Sequence, residues 1–236
     1  METFYLSIAK KIIKVSSLHE AVKTYCQDFL VERCPEDYAL EISQEDIEYE
    51  RGLNEYPFTD DVLEITALHR KIAETLYRDD IIAFHGSAIK YQGNAYLYTA
   101  RSGVGKSTHT NLIKEQLKDE MIWINDDKPF IEVKKNQITL YSSPFNGKER
   151  RGCNTFAPLK AITQIKRGTE NYVNEIEPVV FFPLLVSQCY KGRTPEMASR
   201  VMDLLDLLSA KIRCYEMYCR PDIEAAEVSI REILKK

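Results

Sequence analysis

The stretch that decides the fold is AYLYTARSGVGKST, residues 95–108. Its first five residues form a compact apolar segment that predicts a buried β-strand. A loop with two glycines follows directly, and the residues from 107 to 117 predict a helix. A strand, a glycine-containing loop that ends in Lys-Ser, and a helix in this order are typical of a phosphate-binding loop.

The residue types in this loop suit a nucleoside triphosphate and Mg²⁺. Glycines allow successive backbone N–H groups to turn toward phosphate oxygens, and Lys106 can reach the β- and γ-phosphates. Ser107 offers a hydroxyl to Mg²⁺, while the start of the helix adds a positive partial charge. The motif departs from its usual form at Ala100, where a glycine is expected, and we expect a negative φ there. The residues expected to bind ATP are Ser102, Gly103, Val104, Gly105, Lys106, Ser107 and Thr108.

An acidic pair, Asp126 and Asp127, ends the next apolar segment, 121–124. A carboxylate at the carboxyl end of a strand beside that of the phosphate loop can hold Mg²⁺. A second carboxylate can accept the proton of an attacking hydroxyl. We assign Asp126 as the base and Asp127, with Ser107, as the metal ligand, although the two roles could be exchanged. The structural alternative is an acidic turn that faces solvent.

Two further features could belong to the same site. His85 follows an apolar segment, 81–84, and could contact a phosphate or the acceptor, although a lone histidine is often only a packed one. The loop 142–154 carries Lys148, Arg150 and Arg151. These cations could neutralise charge that develops during phosphoryl transfer, and a solvated basic loop is the alternative.

The rest of the chain predicts an α/β protein with a boundary near residue 80. We predict a small α+β region over residues 1–80 and the catalytic core over residues 81–236. Strand-like or apolar segments are expected at 4–15, 38–49, 81–84, 87–90, 95–99, 121–124, 130–133, 137–141 and 159–165. Helices are expected at 18–31, 62–77, 107–117, 195–208 and 223–234.

Composition argues against several other classes of function. The 236 residues contain 32 Lys+Arg and 36 Asp+Glu, and the net charge of −4 gives no reason to expect nucleic acid or an anionic membrane as a partner. No apolar run is long enough to span a bilayer, and the start of the chain shows no signal region. We therefore expect a cytoplasmic protein whose six cysteines are reduced thiols. A homo-oligomer is compatible with the sequence.

Three motifs together resemble the HPr kinase family and its relatives, which share a catalytic core with phosphoenolpyruvate carboxykinases. They are FHGSA at 84–88, SGVGKST at 102–108 and INDDKP at 124–129. The resemblance implies a phosphoenolpyruvate-carboxykinase-like P-loop core with a mixed β-sheet. It also implies an active-site histidine, which His85 matches, and an acidic pair that supplies a magnesium ligand and a general base, which Asp126 and Asp127 match. With Lys106, these residues form the expected catalytic set.

The chain departs from the bifunctional HPr kinases in ways that leave the acceptor open. Thr108 stands where those enzymes carry an acidic residue, their C-terminal loop signature is not found, and residues 1–80 do not resemble their N-terminal domain. The chain looks like a short sub-branch of HPr-kinase-like proteins. We expect an ATP- and Mg²⁺-dependent kinase that phosphorylates a serine-type hydroxyl on a protein, a peptide or a small molecule. Pyrophosphate could replace ATP.

Two other functions are compatible with a phosphate loop. The chain could be a regulatory module that senses ATP without transferring phosphate. Carboxylation or decarboxylation, as in the carboxykinases, is less well supported because the chain is far shorter and shows no set of metal ligands for an oxaloacetate site.

Overall fold

The computed structural model describes residues 1–101 and 103–235, so the predicted nucleotide ligand Ser102 lies outside the described residues. The described chain is a mixed α/β protein with two β-sheets. Among these residues, no helix combines the length and the apolar character that are needed to cross a bilayer. All six cysteines are free, as expected for reduced thiols.

The first sheet is built by the N-terminal residues and has four strands in the order β3-β1-β2-β4. The strands are β1 (Glu2–Ile8), β2 (Lys11–Ser17), β3 (Leu30–Val31) and β4 (Tyr38–Glu41). The helices are α1 (Glu20–Tyr25), α2 (Gln44–Leu53) and α3 (Asp60–Leu76). Strand β1 buries every second residue against α3, and the same core includes Phe130, Tyr141 and Phe145 of the second sheet and its loops. The N-terminal layer therefore packs directly on the rest of the molecule.

Two predicted elements in this layer were wrong in extent. The helix expected at 18–31 ends at Tyr25, because Leu30 and Val31 pair with β1 instead. The strand expected at 38–49 ends at Glu41, because Ser43 and Asp46 form a reciprocal capping box that starts α2. In both places the local apolar pattern was correct, but a longer-range strand pairing or a cap decided the backbone conformation.

A buried arginine joins α2 to α3. Arg70 is 5% exposed, its Nε donates to Glu50 Oε1 at 2.5 Å, and its Nη2 donates to Asp46 Oδ1 at 3.0 Å. Glu50 is itself only 4% exposed. A buried carboxylate is tolerated only when a cation or hydrogen-bond donors compensate its charge.

Replacing Arg70 with methionine should lower the free energy of unfolding by about 3 kcal/mol, because Glu50 would remain as a buried and unpaired carboxylate. The matched control is Arg51→Met, since Arg51 forms exposed ion pairs with Glu48 and Asp60. Exposed pairs contribute little, so this variant should unfold close to the wild type. Urea denaturation measures both, and equal losses in the two variants would contradict the assignment.

The second sheet has nine strands, with the path β5-β9-β10-β11-β7-β6-β8 and with β13 and then β12 attached to β11. Most of these strands were predicted with small shifts of their ends, whereas β12 and β13 were not predicted at all. The strands are β5 (Ile81–Ala83), β6 (Ser87–Tyr91), β7 (Asn94–Thr99), β8 (Met121–Asn125), β9 (Phe130–Val133), β10 (Ile138–Tyr141), β11 (Phe156–Arg167), β12 (Tyr172–Glu175) and β13 (Arg213–Cys219). The strand predicted to carry the phosphate loop is β7, and it lies near the middle of this sheet.

Helices cover both faces of this sheet. They are α4 (Lys106–Leu117), α5 (Pro178–Gln188), α6 (Pro195–Ser209) and α7 (Ile223–Ser229), which continues as a π-helical turn to Leu234. Along β7, Leu97 faces the core that holds α5 and α6, whereas Tyr96 and Tyr98 face the core that holds α4 and α7. Successive side chains of β7 therefore pack against the helices on opposite faces of the sheet.

The position of β8 corrects one expectation. The acidic strand was expected to lie beside β7, but β6 lies between the two and pairs antiparallel with each. Strands β7 and β8 are therefore parallel, and their carboxyl ends still open at the same edge of the sheet. Strands β11 and β13 run parallel to β7 and end at that edge as well. We call this edge the carboxyl edge.

Candidate functional site

Two glycines of the loop between β7 and α4 have a positive φ. Gly103 has φ +75° and Gly105 has φ +120°, conformations that favour glycine. Helix α4 begins directly after Gly105. Ala100 does not adopt a positive φ and packs in the core beside Ile113 of α4. The expected departure at Ala100 is thus accommodated, because its methyl group points into the core rather than into the turn.

Lys106 links this loop to the acidic strand. Its Nζ donates to the main-chain oxygen of Asp126 at 3.0 Å. Burial lowers the pKa of Lys106, while the negative charges of Asp127 and Asp126 oppose that shift. Ser107 and Thr108 lie exposed on the first turn of α4. The structure thus brings the predicted lysine to the predicted carboxylates.

Asp126 is held by the backbone of the loop 142–154. It is 9% exposed, its Oδ1 accepts from Gly147 N at 2.6 Å, and its Oδ2 accepts from Arg151 N at 3.4 Å. The amide of Asn146, in the orientation that satisfies its neighbours, also donates to Asp126 Oδ1 at 3.1 Å. These N–H donors fix the orientation of the carboxylate.

Asp127 faces His85 and Lys128 instead. His85 Nε2 lies 3.3 Å from Asp127 Oδ1, and Lys128 Nζ forms an ion pair with Asp127. Burial alone would raise the pKa of Asp127, but the hydrogen bond from His85 and the charge of Lys128 outweigh it and lower the pKa well below its usual range. Asp127 is therefore ionised at neutral pH.

His85 is fixed by a residue that the sequence did not single out. His85 Nδ1 lies 3.1 Å from Gln188 Oε1, and the same oxygen accepts from Thr99 Oγ1 at 3.0 Å. Both ring nitrogens of His85 thus face oxygen atoms. Gln188 ends α5, a helix that was not predicted because its apolar residues surround the axis and Pro183 lies inside it. A lone glutamine outside any motif gave no signal.

The space around position 86 requires a glycine directly after His85. Its N–H donates to Asp127 O at 2.9 Å, which ties the start of β6 to the acidic turn. A Cβ at this position would lie 2.8 Å from Leu97 Cδ1 and 2.9 Å from Tyr98 O. Contacts this short are not compatible with a side chain, so the close approach of β6 to β7 requires glycine.

The three predicted loop cations do not converge on the phosphate loop. Arg150 stacks over the ring of Tyr25, and its Nη2 donates to Tyr25 O at 2.6 Å. Arg151 lies over the ring of Trp123 and hydrogen-bonds Asn111 of α4. Lys148 is exposed.

Two cations not predicted for the site lie closer to its centre. One is Lys128, paired with Asp127. The other is Arg167, whose Nη2 donates to Gly103 O at 2.8 Å.

Two cavities have residues near the carboxyl edge in their lining. The interlayer cavity, of about 730 Å³, lies between α3 and the loop 142–154 and includes Tyr25, His69, Lys128 and Arg150 in its lining. The loop-side cavity, of about 410 Å³, lies where α4 faces the ends of β11 and β13. Its lining includes Gly103, Gly105, His109, Arg167 and Arg220.

His109 of the loop-side cavity is a buried and unpaired side chain. It is 2% exposed, and neither ring nitrogen has a hydrogen-bond partner among the residues described. Its ring lies 5.4 Å from that of Tyr98, and burial lowers the pKa of His109 to about 4. A neutral histidine offers one donor and one acceptor, and no described residue satisfies either of them.

The oxygen donors at the carboxyl edge are of the kind that Mg²⁺ prefers. They are the carboxylates of Asp126 and Asp127 and the hydroxyl of Ser107. Within residues 1–101 and 103–235, no group of three or more His, Cys, Asp or Glu side chains forms a metal cluster. Mg²⁺ in phosphoryl-transfer sites needs only one or two carboxylates in addition to the phosphates. The donor set therefore fits a metal shared with a phosphate ligand.

Comparison with known proteins gives a distant structural likeness and no match in sequence. No protein-family model matches the chain, and no curated protein sequence matches it. Among solved structures, it is similar to the HPr(Ser) kinase/phosphatase from Coxiella burnetii, with a TM-score of 0.40 and 8% sequence identity. That likeness covers 65% of this chain and 91% of the other.

Proposed function

We propose that this chain is an ATP-dependent kinase that transfers the γ-phosphate to a serine-type hydroxyl. The observation that carries the proposal is the meeting of four elements at one edge of the sheet: the glycine loop, Lys106, the pair Asp126–Asp127, and His85. Each supplies a group that phosphoryl transfer requires, namely phosphate binding, charge neutralisation, proton acceptance and positioning. The proposal includes a phosphoenolpyruvate-carboxykinase-like core over residues 81–236, with residues 1–80 as a separate N-terminal region.

The two cavities suggest how ATP lies on the loop. Its phosphates bind over Gly103 to Ser107, where backbone N–H groups and the start of α4 favour negative charge. The base and sugar enter the loop-side cavity, where His109 can pair with polar atoms of the base. This direction places the γ-phosphate toward Asp126, Asp127 and His85. Lys106 is released from the main-chain oxygen of Asp126 and reaches the β- and γ-phosphates.

The chemistry then divides between the two carboxylates. Ser107 and Asp127 would hold Mg²⁺, which neutralises phosphate charge when it is bound. The acceptor oxygen attacks the γ-phosphorus, the bond from that phosphorus to the β–γ bridging oxygen breaks, and its electron pair stays on ADP. The proton of the acceptor hydroxyl passes to Asp126. His85, held by Gln188, orients the γ-phosphate or the acceptor.

The fate of a label on the γ-phosphate tests the proposal. Wild-type protein is incubated with Mg²⁺, γ-labelled ATP and either free serine, threonine, small hydroxy compounds or cell-extract proteins. The kinase predicts an acid-stable phosphoester that forms only with protein and acceptor present. Bound ATP without label transfer would favour an ATP-sensing module instead, and label found only as free phosphate would contradict a kinase.

A further inference from the structure

The interlayer cavity is built by both parts of the chain, and Lys128, which follows the acidic pair, is in its lining. Ile65 and His69 of α3 form one wall, and Lys128, Phe145 and Arg150 of the core form the other. Lys128 is the residue after Asp127 and forms an ion pair with its carboxylate. A molecule in this cavity can therefore contact a side chain that is ion-paired with Asp127.

Two side chains that line the cavity also feel the charges of the acidic pair and of Lys128. Tyr25 lines the cavity, and the pKa of Tyr25 is raised by burial and by the charges of Asp127 and Asp126, while Arg150 opposes the shift. Burial lowers the pKa of His69 to about 3, and the charges of Lys128 and Asp127 also act on it. The cavity wall and the acidic pair thus share one electrostatic environment.

The charges in the cavity are unevenly placed. Lys128 and Arg150 bring two cations to the side of the core, whereas Asp61, at the first turn of α3, is the one carboxylate among the described lining residues. His69 is neutral at pH 7. The guanidinium of Arg150 has five donors, and its hydrogen bond to Tyr25 O uses one of them. The core side of the cavity is therefore suited to an anionic group.

One buried polar atom in the wall lacks a partner. His69 Nε2 is inaccessible to solvent and makes no hydrogen bond to any residue that the structure describes. Its ring packs edge to face against Phe145, with ring centroids 4.7 Å apart. Buried polar atoms are nearly always hydrogen-bonded, so an unpaired one in a cavity wall is a sign of a ligand. A neutral imidazole suits a hydroxyl or another uncharged polar group.

From these contacts we propose that the interlayer cavity binds the phosphoryl acceptor, and that the acceptor is a small hydroxyl compound with an anionic group. This inference rests on the proposed kinase function and names the substrate class of that site. The volume of about 730 Å³ lies in the range of small-ligand pockets. Arg150 and Lys128 bind the carboxylate or phosphate of the acceptor, and its hydroxyl lies at the acidic pair.

In the reaction, the acceptor hydroxyl forms a bond to the γ-phosphorus of ATP, and the bond from that phosphorus to the β–γ bridging oxygen breaks. ADP leaves with that electron pair, and the hydroxyl proton goes to the acidic pair. The product is the phosphate monoester of an anionic alcohol. Such a product requires neither an oxidant nor any co-reactant other than ATP.

The test separates acceptors by size and by charge. Cell extract is divided into a low-molecular-mass filtrate and a protein fraction, and each is incubated with the enzyme, Mg²⁺ and γ-labelled ATP. Glycerate and glycerol serve as a defined anionic and neutral pair. Three variants are compared with the wild type: Thr66→Trp, which places a bulky ring in the cavity from an exposed position of α3; Arg150→Gln; and the control Glu45→Trp on the exposed face of α2.

We expect the label in the filtrate, in a compound that binds an anion exchanger after phosphatase has removed the phosphate. Thr66→Trp should abolish this labelling, whereas Glu45→Trp should retain it. Arg150→Gln should raise the KM for the acceptor roughly tenfold to a hundredfold, the loss expected for one hydrogen bond to a charged group. If the enzyme phosphorylates either glycerate or glycerol, glycerate should be the better acceptor.

Label in the protein fraction only, or filtrate labelling that Thr66→Trp leaves intact, would overturn the acceptor site while the kinase function stands. A neutral acceptor would overturn its anionic class. No label in either fraction would overturn both the acceptor site and the kinase function. ATP affinity, measured in parallel, shows whether each variant retains a folded nucleotide site.

Discussion

Replacing Lys106 with alanine should abolish ATP-dependent phosphoryl transfer. The ammonium group lies 3.0 Å from Asp126 O and is expected to leave it and to bridge the β- and γ-phosphates. Without it, the charge that develops on the phosphates during transfer is not neutralised, and kcat should fall by at least about 10²- to 10³-fold, the cost of removing one preorganised electrostatic group. Steady-state rates with γ-labelled ATP measure the loss.

The control for this variant is Lys160→Ala, which removes an exposed lysine of β11. It should transfer phosphate at the wild-type rate and unfold at the wild-type urea concentration. Retained turnover in Lys106→Ala would contradict the assignment of the loop. The same loss in both variants would show that the effect is not specific to Lys106.

Replacing Asp126 with asparagine should lower kcat by about 10²- to 10⁴-fold, the usual contribution of a general base. The amide keeps the shape of the carboxylate and an oxygen that can accept from Gly147 N, so the backbone of the loop 142–154 should keep its position. ATP affinity should change little, because the proposed base contacts the acceptor rather than the nucleotide.

The matched variant is Asp127→Asn, which should act through the metal. If Asp127 holds Mg²⁺, the Mg²⁺ concentration required for half-maximal activity should rise, whereas Asp126→Asn should leave it unchanged. Opposite results for the two variants would exchange their roles, an exchange that the sequence had left open. Wild-type activity in both variants would contradict any role of the acidic pair in transfer.

Local motifs allowed much of the carboxyl edge to be predicted from the sequence. Strand β7, the glycine loop and α4 are adjacent in the chain, so the order of residues alone determines their arrangement. The aspartates were located by the strand that precedes them. That β6 intervenes between β7 and β8 depends on strand pairing across the sheet, which the local apolar pattern does not specify.

The residues that the sequence missed are those placed by tertiary contacts. Gln188 reaches His85 from α5, a helix without an amphipathic pattern, and Lys128 is one of many lysines until its ion pair with Asp127 is known. Arg150 was predicted to close over phosphate, but in this structure it stacks on Tyr25 of the N-terminal layer. Its partner lies far away in sequence, so no spacing rule could have indicated it.

The most direct measurement is a crystal structure with Mg²⁺ and a non-hydrolysable ATP analogue. We expect the β-phosphate to lie within hydrogen-bond distance of the backbone N–H groups from Gly103 to Lys106. The base should lie in the cavity beside His109. We also expect a metal that contacts Ser107 and one carboxylate of the acidic pair. A nucleotide bound elsewhere, or phosphates that do not contact this loop, would contradict the proposal that residues 103–107 bind ATP.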